Sequence, residues 1–265
     1  MRDDALVDGT PEEFVDCPPG GRRVTRTRAV RLGDVTASGR VRLDALARYL
    51  QDVAADDGDE VGLGGAGAWV LRRAALRFDE LPRFRDTLEL TTFCSGVGPR
   101  WAERRTTIRV AGRSAVESAA VWVYVDDAGR PTTLEPWFDE HYGASADGRR
   151  VSGRLRLPAP PPEAHAVAWP LRTTDFDVLG HVNNAVAWTA VEDELARRAP
   201  SVGGPERGLA GATLEYRAAI DLGDAPELVS SIAPGLLSCW LRCDGDVRTA
   251  ALVQLDPADL SRSAP

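Results

Sequence analysis

Apolar residues along this chain recur with two different periods, and the periods alternate in the same order in each half. Leu43, Leu46, Ala47, Leu50 and Ala54 fall at i, i+3, i+4, i+7 and i+11, the spacing that lays one apolar stripe along a helix. Four strand-like runs follow: Trp69 to Phe78, Thr87 to Phe93, Trp101 to Val110 and Ala115 to Val125. The second half repeats the pattern. Ala185, Trp188, Val191 and Leu195 make a weaker helical stripe, ahead of runs at Ala212 to Arg217, Glu227 to Ile232, Leu236 to Arg242 and Val247 to Leu255. Ala111-Gly112 and Asp244-Gly-Asp246 part the corresponding last pairs of runs, and Asp126 to Gly129 reads as a hairpin turn or sheet exit. One further strand precedes each helix, near Thr25 to Leu32 and Ala166 to Thr173.

The repetition reaches individual residues. Asp34, Gly39 and Val41 are matched 141 positions later by Asp175, Gly180 and Val182, and both segments lead into a helix. Each half therefore reads as strand, loop, helix and about four antiparallel strands. One helix cannot cover both faces of such a sheet, but two halves set side by side can share one larger sheet. The expected division is a tail at 1–21, a first repeat at 22–135, a linker at 136–162 rich in proline at its end, a second repeat at 163–258 and a tail at 259–265.

Composition narrows the chemistry. The 265 residues carry a formal charge of -8 and are 43% hydrophobic, as a globular chain would be. All 32 basic side chains are arginine, which removes Schiff-base lysines, a phosphate-loop lysine and lysine as a general base. No secretory leader or long apolar run is evident, and Cys17, Cys94, Cys239 and Cys243 read as free thiols rather than a zinc site. The expected setting is a reducing cytoplasm, without metal or cofactor. No nucleic-acid module or dinucleotide fingerprint is present, and Gly62 to Gly67 reads as a loop.

The densest polar cluster runs from Thr173 to Asn184, between a predicted strand and a predicted helix. Gly180 can take backbone angles closed to other residues, and a helix starting near it would aim free N–H groups into the loop. The Gly180 and Val182 amides are thus candidate oxyanion donors, with Asp177 as nucleophile or base. The alternative is structural: Asp175 or Asp177 capping the helix or holding a turn, Asn183 and Asn184 as first-turn residues, and His181 as a loop support. Comparison of the halves separates these roles. Asp175, Gly180 and Val182 are shared and would serve the fold, whereas Asp177, His181 and Asn183 replace Thr36, Arg40 and Arg42. The second half reads as active and the first as scaffold.

Residues 175–184, Asp-Phe-Asp-Val-Leu-Gly-His-Val-Asn-Asn, resemble the acyl-[acyl-carrier-protein] thioesterases of plants and bacteria, as do Arg40 to Gln51 and Leu214-Glu-Tyr-Arg217. The resemblance covers about residues 22 to 255. It implies an α+β tandem double hotdog, each antiparallel sheet wrapped around a central helix, with catalysis in the second repeat. It matches Asp177 and His181 to the family's catalytic aspartate and histidine. Leu179 stands where the plant-like pattern has asparagine, and Ala219-Ile220 where it often has Glu-Cys; Asn183, Asn184 and Glu215 are the candidate substitutes.

The implied reaction is hydrolysis of an acyl thioester, foremost acyl-[acyl-carrier-protein] to fatty acid and carrier thiol, with acyl-coenzyme A as the other substrate. Trp69, Leu71 and Phe93 would line the acyl channel. Arg72, Arg73 and Arg77, or Arg100, Arg104 and Arg105, would offer a carrier its positive patch. A dehydratase or hydratase, and a binding protein without turnover, are the alternative readings. A tandem hotdog already contains its pseudo-dimer, so monomer and homodimer are both compatible with it.

Overall fold

The computed structural model describes residues 14–62, 68–202 and 208–255. Most of the glycine-rich loop, the first 13 residues and the last ten lie outside the described residues. The first repeat comprises β1 (Val24–Ala29), α1 (Leu43–Glu60), β2 (Ala68–Phe78), β3 (Thr87–Val97), β4 (Trp101–Val110) and β5 (Arg113–Val125). After α2 (Pro136–Ala146), the second comprises β6 (Ala166–Ala168), α3 (Asn184–Val202), β7 (Leu209–Tyr216), β8 (Glu227–Ala233), β9 (Leu236–Cys243) and β10 (Asp246–Leu255). The strands form one ten-stranded sheet in the order β1-β3-β4-β5-β2-β7-β10-β9-β8-β6. That order reads the same from both ends once each strand is exchanged for its counterpart. The fold is the double hotdog, α+β, with antiparallel pairing throughout.

The two halves join where β2 pairs with β7, in the register Arg73 to Glu215, Ala74 to Leu214 and Leu76 to Ala212. Ala74, Leu76, Leu214 and Ala212 face the helices and belong to one core with Leu43, Leu46, Trp188 and Val191. Period-2 alternation sends Arg73 and Glu215 to the opposite face. The Ala111-Gly112 and Asp244-Gly245 turns have positive φ at both central residues, the type I′ geometry that suits two-residue hairpins.

The segment read as linker holds more structure than expected. Residues 136–146 form α2, whose Phe138 and Tyr142 are buried against Cys94 and Ala102. The chain beyond α2 straps the sheet's outer face. Trp101 Nε1 donates to the Val151 carbonyl and Trp240 Nε1 to the Pro158 carbonyl, both at 2.9 Å. Arg73 donates to the Arg154 carbonyl.

Buried charge supports the second repeat. Glu194 of α3 is fully buried and accepts from Arg197, Arg198 and Ser230. Burial alone would raise its pKa, but hydrogen bonds from Arg198 and Ser230 and the charges of both arginines hold it below the ordinary 4.5. A depressed folded-state pKa stabilises the fold above the unfolded value, and that stabilisation drains as pH falls through the folded one. Glu194→Gln is therefore expected to be less stable near neutrality and to lose less stability on acidification below about pH 4.5. Urea unfolding at a series of pH values measures both.

Candidate active site

The loop from Thr173 to Asn184 repeats the main backbone hydrogen bonds of the loop from Leu32 to Leu43. Asp34 Oδ2 accepts the Arg31 N–H, and Asp175 Oδ2 accepts the Arg172 N–H at 2.7 Å. The Arg42 N–H donates to the Asp34 carbonyl and the Asn183 N–H to the Asp175 carbonyl. Gly39 and Gly180 take φ of 83° and 78°, and each N–H closes a turn onto residue 36 or 177. Bridges Val35 to Val41 and Phe176 to Val182 pin the necks of both loops. These shared contacts serve the fold.

On this common frame the second half carries different side chains. Asp177 is half-buried; its Oδ1 accepts the Leu179 N–H at 2.9 Å, and Oδ2 has no hydrogen bond among the described residues. Its own N–H donates to the His181 carbonyl at 2.9 Å. His181 Nε2 lies 3.3 Å from Asp221 Oδ1, both side chains being accessible at 48% and 63%. Asp221 arrives from the segment between β7 and β8, through a bridge with His181, and was not singled out from the sequence. Its counterpart in the first half is Arg83, which bridges Arg40. A histidine and a carboxylate therefore stand where the first half has two arginines.

The structure moves the expected oxyanion donors. The Gly180 N–H donates to the Asp177 carbonyl at 3.0 Å, and the Val182 N–H to the Ile220 carbonyl at 2.9 Å. Neither amide is available to a substrate, because both hold the loop together. The Asn183 Oδ1 caps α3 by accepting the Ala185 N–H at 3.0 Å. The Asn184 N–H, at the first position of α3, has no partner among the described residues. It points with the helix dipole, where developing negative charge is stabilised.

The remaining candidates fall in three places. Asn184 contributes its carbonyl to the Tyr216 hydroxyl at 2.9 Å, and burial pushes that phenol's pKa up. Glu215 is away from this loop. It is 0% exposed on the outer face and accepts the Arg156 and Leu157 N–H groups, with Arg217 3.6 Å away, so it anchors the strap. Leu179 directs an exposed side chain outward beside fully exposed Val178, and Leu222, next in sequence to Asp221, is exposed as well.

A cavity of about 280 Å³ lies in the first repeat between α1, α2 and the sheet, walled by Ala54, Ala55, Trp69, Cys94, Trp122 and Phe138. A narrower one of about 30 Å³ shares Gln51, Ala54, Arg104 and Trp122 with it and reaches Leu71, Trp188 and Tyr216. Trp69 and Leu71 thus line cavities, while Phe93 is buried in β3 and lines neither. Two of the side chains lining the narrow cavity belong near α3: Trp188, in its second turn, and Tyr216, which holds the Asn184 carbonyl. Of the six arginines expected to offer a positive patch, Arg77 and Arg100 are exposed and the other four are engaged within the fold. Arg73 and Arg105 are buried, and Arg104 is bound to buried Asp57 at 2.6 Å. Arg72 donates to the Tyr216 and Arg217 carbonyls.

The chain is thus a hotdog pair with one carboxylate–histidine loop and an apolar cavity in the other repeat. The chain belongs to the acyl-ACP thioesterase family, matching its N-terminal domain model over residues 21–135 and its C-terminal domain model over 160–245. It is 24% identical to a chloroplastic acyl-[acyl-carrier-protein] hydrolase of Cuphea viscosissima, over 88% of this chain and 59% of that protein. An uncharacterized Mycobacterium tuberculosis protein is 25% identical, over 91% of this chain and 95% of its own. Among solved structures, the 12:0-ACP thioesterase of Umbellularia californica superposes with TM-score 0.76 at 19% identity, covering 89% of this chain and 97% of its own. An acyl-ACP thioesterase of Bacteroides thetaiotaomicron gives 0.73 at 17% identity, over 88% and 98%. Family and fold together support thioester hydrolysis. No helix among the described residues is long and apolar enough to cross a membrane.

Proposed function

We propose that the protein hydrolyses acyl thioesters borne on acyl-carrier protein, releasing fatty acid and carrier thiol. The carrying observation is an apolar cavity in the first repeat whose narrow neighbour is lined by Trp188 of α3 and by Tyr216, the side chain that holds the Asn184 carbonyl. The acyl chain fills the cavity, and the thioester carbonyl oxygen accepts the Asn184 N–H. Asp177 Oδ2 removes a proton from water as the water oxygen bonds to the carbonyl carbon. The carbonyl electrons move to oxygen and are held there by the Asn184 N–H at the positive end of α3. Collapse of the intermediate breaks the carbon–sulfur bond, and the departing thiolate takes its proton from His181, which stands 3.3 Å from Asp221. The exposed apolar side chains of Val178, Leu179 and Leu222 favour a protein-borne thioester over a free coenzyme, since such residues next to a site mark contact surfaces.

The test is thiol release from acyl-carrier and acyl-coenzyme A esters of graded chain length. The reading requires free thiol to appear and kcat/KM to be higher on the carrier; an unbroken thioester with altered unsaturation would identify a dehydratase or hydratase instead. Ala54 lines both cavities at their junction. Ala54→Phe is expected to depress kcat/KM on long chains by about tenfold or more while sparing short ones, because each displaced methylene is worth about 1–3 kcal/mol.

A further inference from the structure

We infer that Gln51, a residue of the first repeat, completes the catalytic site of the second by donating its carboxamide N–H to the thioester oxygen beside the Asn184 N–H. The inference rests on the hydrolytic reading above and adds a residue to it. Its basis is what the two helices do to each other. α1 and α3 pack together, and Glu192 on α3 reaches the start of α1. There its Oε1 accepts the Leu43 N–H at 2.7 Å, and the Arg40 guanidinium grips both oxygens at 2.9 and 2.7 Å. Leu43 is the first residue of α1, as Asn184 is of α3.

The same 141-residue step that relates Asp34 to Asp175 and Leu43 to Asn184 relates Arg40 to His181 and Gln51 to Glu192. The repeat offset therefore assigns Gln51 to the start of α3, in the place that Glu192 takes at the start of α1. Its surroundings agree. Gln51 lines both cavities and shares the narrow one with Trp188, one turn beyond Asn184, and with Tyr216, which holds the Asn184 carbonyl. Neither the Gln51 carboxamide nor the Asn184 N–H has a hydrogen bond among the described residues. In the first half the equivalent N–H is filled by the protein's own carboxylate.

The difference between Glu192 and Gln51 is then chemical. A carboxylate at the helix start occupies the donor that a substrate carbonyl needs and pairs with the neighbouring cation. A neutral carboxamide leaves that donor open and offers an N–H of its own, so the oxygen that becomes negative meets two donors. One acid-to-amide difference closes the scaffold half and opens the catalytic half.

The experiment compares Gln51→Leu, Gln51→Glu and Asp177→Asn with the parent on one acyl-carrier ester, alongside NMR titration of His181. Gln51→Leu is expected to lower kcat about 10²-fold with KM changed less than about threefold, the scale of a lost oxyanion donor. Gln51→Glu should lower kcat at least as far and raise the His181 titration midpoint, since the new carboxylate faces the imidazole as Glu192 faces Arg40. Full kcat in both variants, with Asp177→Asn inert, would overturn the role of Gln51 and leave the hydrolytic reading standing. If the parent cleaves no thioester, hydrolysis itself is wrong; an unmoved His181 midpoint in Gln51→Glu would then also overturn the placement of Gln51.

Discussion

Asparagine at position 177 is expected to lower kcat for thioester hydrolysis by about 10²–10⁴-fold, the range lost with a general base, while leaving the fold intact. The two roles of the Asp177 carboxylate are separable because they use different oxygens. Oδ1 holds a tight turn by accepting the Leu179 N–H at 2.9 Å, and an asparagine Oδ1 can accept the same bond. The scaffold half shows that this turn needs no charge. Thr36 occupies the matching position, its hydroxyl 2.9 Å from that of Ser38, and the surrounding backbone bonds are unchanged. The Asp177→Asn variant would thus keep the turn and lose the basic oxygen that water requires. Single-turnover thiol release and a urea melt on the same preparation separate the outcomes. Retained hydrolysis in a folded Asp177→Asn protein would remove Asp177 from the chemistry.

Much of this architecture was legible because it is local and written twice. The helical stripe at Leu43 to Ala54 and the alternating runs after it depend on side chains three or four, or two, positions apart, so periodicity found them. The turn pairs at Ala111-Gly112 and Asp244-Gly245 were equally local. The shared aspartates were legible as a pair for the same reason: the Asp34 and Asp175 carboxylates each accept the backbone N–H three residues earlier.

What escaped reading was mostly non-local. Asp221 meets His181 only after β7 has crossed the sheet, and no spacing in the chain announces that pair. Glu215 stood in a suggestive motif, yet strand alternation turns it to the outer face and onto the strap. The amides of Gly180 and Val182 read as free because a sequence does not show which carbonyls a loop has already engaged. By contrast, α2 did leave a signal. Pro136 sits at the first helical position after Glu135, and Phe138 and Tyr142 are four residues apart, a helical start and stripe obscured by the proline-rich run that follows. The role inferred for Gln51 was also available in principle, by carrying the repeat offset from the loops onto the helices.

The second large effect is expected on stability, at the contact that closes the scaffold half. Glu192→Ala should destabilise the protein by about 3–5 kcal/mol, the cost of leaving one partner of a buried ion pair alone. Glu192 and Arg40 are exposed by only 9% and 14%, and the pair lies between α1 and α3, at the seam of the two repeats. Removing the carboxylate strands the Arg40 guanidinium in partial burial and also leaves the Leu43 N–H without its acceptor. Glu192→Gln should cost less, since the carboxamide oxygen can still accept that N–H. Joint replacement, Arg40→Met with Glu192→Met, should recover much of the loss, because no unpaired charge then remains and apolar side chains of similar volume fill the space. Urea unfolding of Arg40→Met, Glu192→Met and the double variant measures the coupling, with an unchanged m-value as the sign that the unfolded state is not responsible. Additive losses in the cycle would mean that Arg40 and Glu192 stabilise the seam independently. Strong coupling would show that a charge supplied by the second repeat holds the loop before α1 in place.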